Sequence, residues 1–304
     1  MLLHLPIAEM SVPVELIFMV SAFVGFLSGM FGIGGGFLTT PFLIFIGIPP
    51  AVAVGTQASQ LVASSVAGTI GHWRRSNVDI KMGLVMMSGG ILGSFVGIGI
   101  FRFLEYIGQI DVAISLIYVV LLCSIGVMML VESVFTQFFK KKNVRKEFNT
   151  LRVSPFIASL PYKMRFPRSK LFISALVPAG IGFVGGILAS VLGIGGGFLI
   201  VPAMIYILGM PTLLVAGTSL FQIIFTTASA TIMHAVFNHT VDFVLAVVLI
   251  LGCVVGAQIG ISVARFIKPT HARLAMAILV LMVSIQLSVS LFMKPAELFS
   301  TVLV

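Results

Sequence analysis

Two sets of uncharged polar residues recur in this chain at helical spacing. Thr56, Gln60 and Ser64 stand four apart, Thr218, Gln222 and Thr226 repeat them, and Gln57 and Ser219 lie one position from each stripe. Steps of four drift by about 40° each on a helix, so three members share a face. Such residues either bond between helices in a membrane or line a polar cavity. The Ser and Thr residues fit both readings, whereas the larger, matched Gln60 and Gln222 favour the cavity. Two glycine clusters accompany the stripes, "GIGGGFL" at Gly32 to Leu38 and again at Gly193 to Leu199. They are not nucleotide loops, because Phe37 stands where GxGxxG needs its last glycine and no GK[ST] follows. Three consecutive glycines exceed what a packing face needs. They predict an unwound break that exposes backbone N–H groups and opens a half-helix at Phe37 or Phe198, an anion site without a charged side chain. The expected binding set is therefore Gly34, Gly35, Gly36, Thr56, Gln57 and Gln60 with Gly195, Gly196, Gly197, Thr218, Ser219 and Gln222.

Other chemistry is sparse. All nine acidic residues and all eighteen Lys and Arg fall in loops or near segment ends, so general acid–base catalysis lacks residues inside the apolar segments and no enzyme is expected. Asp79 and Asp242 open matched segments and read as helix N-caps. His72 and His234 fall at matched segment ends, the first beside Trp73. They read as interfacial residues, with gating or proton exchange as the sharper alternative. Cys123 and Cys253 form no disulfide framework and no metal pattern, and neither metal nor cofactor is expected.

The elements that must position these residues are membrane helices. The 304 residues are 59% hydrophobic and 9% charged, against about 25% charged in soluble domains, with a mean hydropathy of +1.19. Apolar runs of the roughly 20 residues that cross a bilayer recur throughout. The first thirteen residues lack Lys, Arg and a small-residue cleavage site, so the first span is expected to be retained. The chain also contains itself twice. Ser21 to Pro41 aligns with Gly182 to Pro202 at a shift of 161, and the register then slips to 162 (Gly55, Thr56, Gln60, His72) and 163 (Asp79, Gly89, Gly93, Gly97, Arg102). Each half reads as five segments: residues 14–31, 36–47, 51–71, 79–101 and 110–131, then 171–192, 197–208, 212–233, 242–264 and 272–293. The second of each spans roughly 18 Å as a helix, too short for a core of about 30 Å.

Charge orients the halves. Between segments three and four the first half carries Arg74, Arg75 and Lys81 while the second has no Lys or Arg from Thr231 to Leu251; between four and five, Arg102 stands against Arg265, Lys268 and Arg273. Matched loops thus prefer opposite sides of the membrane. The expected fold is an all-α polytopic membrane protein of two inverted-topology repeats of about five transmembrane segments each, with Gly-rich breaks and short half-helices. The organisation is an N-terminal repeat (1–132), a basic cytoplasmic linker (133–170) and a C-terminal repeat (171–304). The linker holds ten Lys and Arg against Glu147 alone, which accounts for the whole net charge of +9. It reads as a positive-inside loop touching anionic membrane lipids, not as a nucleic-acid site. Glycines four apart, such as Gly89, Gly93 and Gly97, read as helix-packing faces and would allow a homodimer.

The doubled "GxGGGFLxxP" (Gly32 to Pro41, Gly193 to Pro202), the "VGT" at Val54 to Thr56, the "AGT" at Ala216 to Thr218 and the long central basic segment resemble the TauE/SafE family of sulfite exporters, also called toluene-sulfonate uptake permeases. The resemblance implies a multi-pass transporter of the bacterial or archaeal cytoplasmic (inner) membrane. Its substrate would be a small sulfur-containing anion, sulfite or an organosulfonate such as sulfoacetate, and the family's glycine motifs would fall on Gly32, Gly34 to Gly36, Gly193 and Gly195 to Gly197. The residues and the resemblance together lead to a secondary transporter, an exporter, working by alternating access. A passive small-anion channel and a permease for a different organic anion are the alternatives.

Overall fold

The computed structural model describes residues 2–31, 36–138, 161–263 and 269–292. Among them are ten α-helices, five in each half. The first half runs α1 (Val14–Phe31), α2 (Gly36–Phe45), α3 (Pro50–Arg74), α4 (Ile80–Tyr106) and α5 (Ile110–Phe138). The second runs α6 (Leu176–Leu192), α7 (Gly197–Tyr206), α8 (Thr212–Met233), α9 (Phe243–Val263) and α10 (Pro269–Phe292). Among the described residues, five stretches are long and apolar enough to cross a membrane: Ile80–Tyr106, Ile110–Val131, Leu214–Asn238, Phe243–Gly260 and Leu274–Leu291. The short second segments are helices of ten residues, each with a proline inside, Pro41 and Pro202. A proline within a helix removes a backbone donor and disfavours extension.

One feature lies outside the apolar segmentation. A two-stranded antiparallel hairpin precedes the first helix of each half: β1 (Leu2–Leu5) with β2 (Met10–Pro13), and β3 (Lys163–Phe166) with β4 (Leu171–Ser174). The strands match at a shift of 161, and both turns open with proline (Pro6, Pro167) and close on a residue at positive φ (Glu9, Lys170). The second hairpin occupies the end of the stretch expected to be linker.

Packing between the halves is reciprocal. Helix α4 lies along α6, and its counterpart α9 lies along α1; α3 pairs with α8, and α5 with α10. Glycines form the two outer seams, as their spacing predicts. A side-chain carbon on Gly89 or Gly93 would land on the carbonyl oxygens of Ala179 and Phe183, and one on Gly256 or Gly260 on those of Ala22 and Phe26. Only glycine lets backbones approach that closely. These faces are consumed inside the chain, so they are not what would hold a second copy.

Candidate functional site

The site begins where α6 ends. Gly193, Gly195 and Gly196 take φ values of +69°, +71° and +69°, the left-handed region that side chains disfavour. The chain therefore unwinds after Leu192 and restarts at Gly197 as α7. The predicted break is present in the second half. In the first half Gly34 and Gly35 lie outside the described residues, and Gly36 is the buried first residue of α2.

The two sides of the break are finished differently. On the carbonyl side, Gly193 N–H donates to Ala189 O at 2.9 Å, Tyr118 Oη to Leu192 O at 2.5 Å, and His234 Nε2 to Ser190 O at 2.8 Å. On the amide side, no carbonyl among the described residues accepts from the N–H groups of Gly195 through Phe198. A helix start leaves such donors free and carries a partial positive charge. The break therefore presents donors and hides acceptors. Replacing Tyr118 with phenylalanine should leave the buried Leu192 carbonyl unpaired and cost about 1–2 kcal/mol, read as a lower thermal midpoint with the helix content unchanged.

The starts of α2 and α7 meet. Phe37 and Phe198, the second residue of each helix, stack with ring centroids 4.4 Å apart and planes 10° from parallel. A side-chain carbon on Gly36 would lie 2.6 Å from Leu61 Cδ1, and one on Gly195 would lie 3.0 Å from that same atom. Two positive helix ends thus converge on one place between α3 and α8, with no acidic side chain described there.

Gln57 lies on the α3 face turned to this place. The Val54 backbone abuts Gly193, and Leu61 abuts both Gly36 and Gly195; Gln57, three residues after one and four before the other, shares their face. It is fully buried, and neither its amide oxygen nor its amide nitrogen has a partner. Burying an amide without hydrogen bonds is costly, so such a group stands in need of a polar partner.

The other predicted residues divide. Gln60 and Gln222 are buried, with Gln60 Nε2 donating to Ser21 Oγ on α1 at 3.4 Å and Gln222 Nε2 to Thr226 Oγ1 at 2.8 Å. Ser219 Oγ donates to the Ala216 carbonyl of its own helix at 3.1 Å. Thr56 and Thr218 bond between the halves instead. Thr56 Oγ1 accepts from Asp242 N–H at 3.0 Å, and Thr218 Oγ1 from Asp79 N–H at 2.9 Å. Both aspartates are the N-caps that sequence predicts: Asp79 accepts from Met82 N–H at 3.2 Å and Asp242 from Leu245 N–H at 3.0 Å.

Each aspartate is also gripped by the hairpin of the other half. Ile7 N–H in the β1–β2 turn donates to Asp242 Oδ2 at 3.0 Å. In the β3–β4 turn, Ser169 gives Asp79 Oδ2 both its N–H, at 3.0 Å, and its hydroxyl, while Arg168 Nη1 donates to the Val78 carbonyl at 2.7 Å. The two histidines have diverged. His234 is buried, its Nδ1 facing Asn238 Nδ2 at 3.0 Å in a π-helical turn (His234–Asn238), whereas His72 is half-buried at the end of α3. Sequence reasoning missed Tyr118, Ser21 and Ser169, whose partners lie 74, 228 and 90 residues away.

Among families of known proteins, the one described as "Sulfite exporter TauE/SafE" matches residues 17–287. The chain is 28% identical over 274 residues to "Probable membrane transporter protein YjnA" of Bacillus subtilis (strain 168), covering 89% of this chain and 98% of that one. It is 29% identical over 251 residues to a "Probable membrane transporter protein" of Xylella fastidiosa (strain 9a5c), covering 82% and 84%. To "Probable membrane transporter protein MJ0441" of Methanocaldococcus jannaschii it is 24% identical over 279 residues, covering 86% and 90%. No solved structure matches the chain significantly.

Proposed function

Since this chain belongs to the sulfite exporter TauE/SafE family, we propose that it is a secondary transporter that exports a small sulfur-containing anion, sulfite or an organosulfonate, by alternating access. It works in a bacterial or archaeal inner membrane, and its halves are inverted-topology repeats joined by a cytoplasmic basic linker. The convergence of the α2 and α7 starts carries this reading. Two converging helix N-termini attract an anion, with the N–H groups of Gly195 to Phe198 accepted by no described carbonyl, and neutral donors release it more readily than a buried Arg pair would. Gln57 completes the polar wall at the break, with Gln60 and Gln222 on the neighbouring faces of α3 and α8. Thr56 and Thr218 act indirectly, by holding the starts of α9 and α4. Opening one end of the molecule then requires freeing Asp79 from the β3–β4 turn, and opening the other requires freeing Asp242 from the β1–β2 turn.

The test is flux in liposomes containing the purified full-length protein. A carrier gives saturable sulfite transport with counterflow, whereas a channel gives faster flux without it. Gln57→Met, close in shape and without hydrogen-bonding atoms, should weaken anion affinity about tenfold or more, since a hydrogen bond to a charged group contributes about 1.5–3 kcal/mol. Unchanged affinity and rate in a folded Gln57→Met protein would remove Gln57 from the site.

A further inference from the structure

Helices α2 and α3 form a hairpin that sets a hydroxyl opposite an amide. A side-chain carbon on Gly36, the first residue of α2, would lie 2.6 Å from Leu61 Cδ1 on α3. Only residues 46–49 join the two helices, so they run antiparallel and a turn toward that connection on one is level with a turn on the other. One turn from the Gly36–Leu61 contact, four residues on along α2 and four back along α3, stand Thr40 and Gln57. Residues four apart share a helix face, so these two are turned to each other. The glycine break lies beside both. Tyr118 Oη is next to Thr40 and donates at 2.5 Å to the carbonyl of Leu192, the last residue of α6. The Val54 backbone, one turn before Gln57, abuts Gly193.

Both side chains are fully buried, and Thr40 Oγ1, Gln57 Oε1 and Gln57 Nε2 have no hydrogen-bond partner. Tyr118 does not supply one, because its single proton is spent on Leu192 and the two hydroxyls make no hydrogen bond. A hydroxyl and an amide at one level would bond each other if they served only to tie α2 to α3. They do not. The second half has no such pair, since the repeat reads FLTTP in one copy and FLIVP in the other. Val201 stands where Thr40 does, and Ser219, at the position of Gln57, is bonded to the Ala216 carbonyl of its own helix.

Resting on the proposed anion site, we propose that Thr40 is a further substrate contact, and that with Gln57 it makes a side-chain clamp supplied by the first half alone. The halves then divide the work. The second presents the backbone N–H groups of its unwound break, and the first presents the Thr40 O–H and the Gln57 N–H groups, donors that an oxyanion accepts from.

Calorimetric binding of sulfite and of methanesulfonate to the purified full-length protein, with thermal midpoints measured without ligand, tests this on two variants. Thr40→Val keeps the shape, removes the hydroxyl, and should weaken the better-bound probe about tenfold or more. Its ligand-free midpoint should be no lower than the parent's, since an unpaired buried hydroxyl has no hydrogen bond to lose. Thr40→Ser keeps the hydroxyl and should bind within about threefold of the parent. Unchanged affinity in a folded Thr40→Val protein removes Thr40 from the clamp and leaves the anion site standing. Thr40→Ser as weak as Thr40→Val overturns the contact too, because the methyl and not the hydroxyl then matters. A lower ligand-free midpoint in Thr40→Val makes Thr40 a support for Tyr118 and also overturns it. Binding of neither probe to the parent overturns the anion site, and the clamp with it.

Discussion

Asp79→Ala is expected to destabilise the protein by about 3–9 kcal/mol, because three buried donors, Met82 N–H, Ser169 N–H and the Ser169 hydroxyl, are each left unpaired at about 1–3 kcal/mol. Against a total stability of about 5–15 kcal/mol this is a large fraction. The thermal midpoint, followed through the single Trp73, should fall by about 6 °C or more. Asp242→Ala removes a smaller set, Leu245 N–H and Ile7 N–H, and should cost less. The Asp79 grip also has Arg168 on the neighbouring Val78 carbonyl, with no equivalent contact at the other end among the described residues. The difference between the two variants therefore measures how unequal the two ends are. A larger loss in Asp242→Ala would show that the hairpin contacts do not set the ranking.

Gly93→Val and Gly256→Val are expected to yield no monodisperse folded protein. A side-chain carbon at either position would land on a backbone carbonyl, that of Phe183 or that of Ala22, and backbone cannot rotate aside as a flexible side chain can. Overpacking costs about 1–3 kcal/mol where side chains adjust. Here two helices must part along a seam that repeats every four residues, so the loss should exceed that range. Gly99→Ala and Gly180→Ala are the controls. They lie on α4 and on α6, the helix that packs along it, with nothing within 4 Å of the added carbon, and should be neutral or gain up to about 1 kcal/mol in helix propensity. Size-exclusion profiles of the four variants decide the matter, and a monodisperse Gly93→Val would refute the tight seam.

Much of this arrangement is legible in the chain because it is written twice. Helix boundaries follow the apolar runs, the second glycine break stands where GIGGG predicts it, and the Asp79 and Asp242 caps follow from helix-start chemistry. What could not be read depends on partners distant in sequence. Thr56 and Gln60 belong to one numerical stripe, yet Thr56 turns to Asp242 and Gln60 to Ser21, since helix drift divides the stripe between two neighbours. His72 and His234 match in register but differ in burial: His234 opens a π-helical turn and packs on Phe101 with its ring bonded to the Ser190 carbonyl, partners distant in sequence. The hairpins escape detection for a simpler reason. Their strands are four residues long, too short for a period to show, and their turns share a proline but not their charges.

The reciprocal pairing of α1 with α9 and of α4 with α6 has a consequence for biosynthesis. Helix α1 leaves the ribosome more than 200 residues before α9, the helix whose glycines take up its carbonyl-lined face. During that interval, about 10–40 s at ordinary elongation rates, an early helix waits in the bilayer without its partner, and so does α4 until α6 arrives. The first half is thus expected to behave as an assembly intermediate until the second arrives. Expressed alone, residues 1–138 should be cleared by membrane proteases, whereas co-expression with a second chain starting at residue 161 should restore a stable, co-purifying pair.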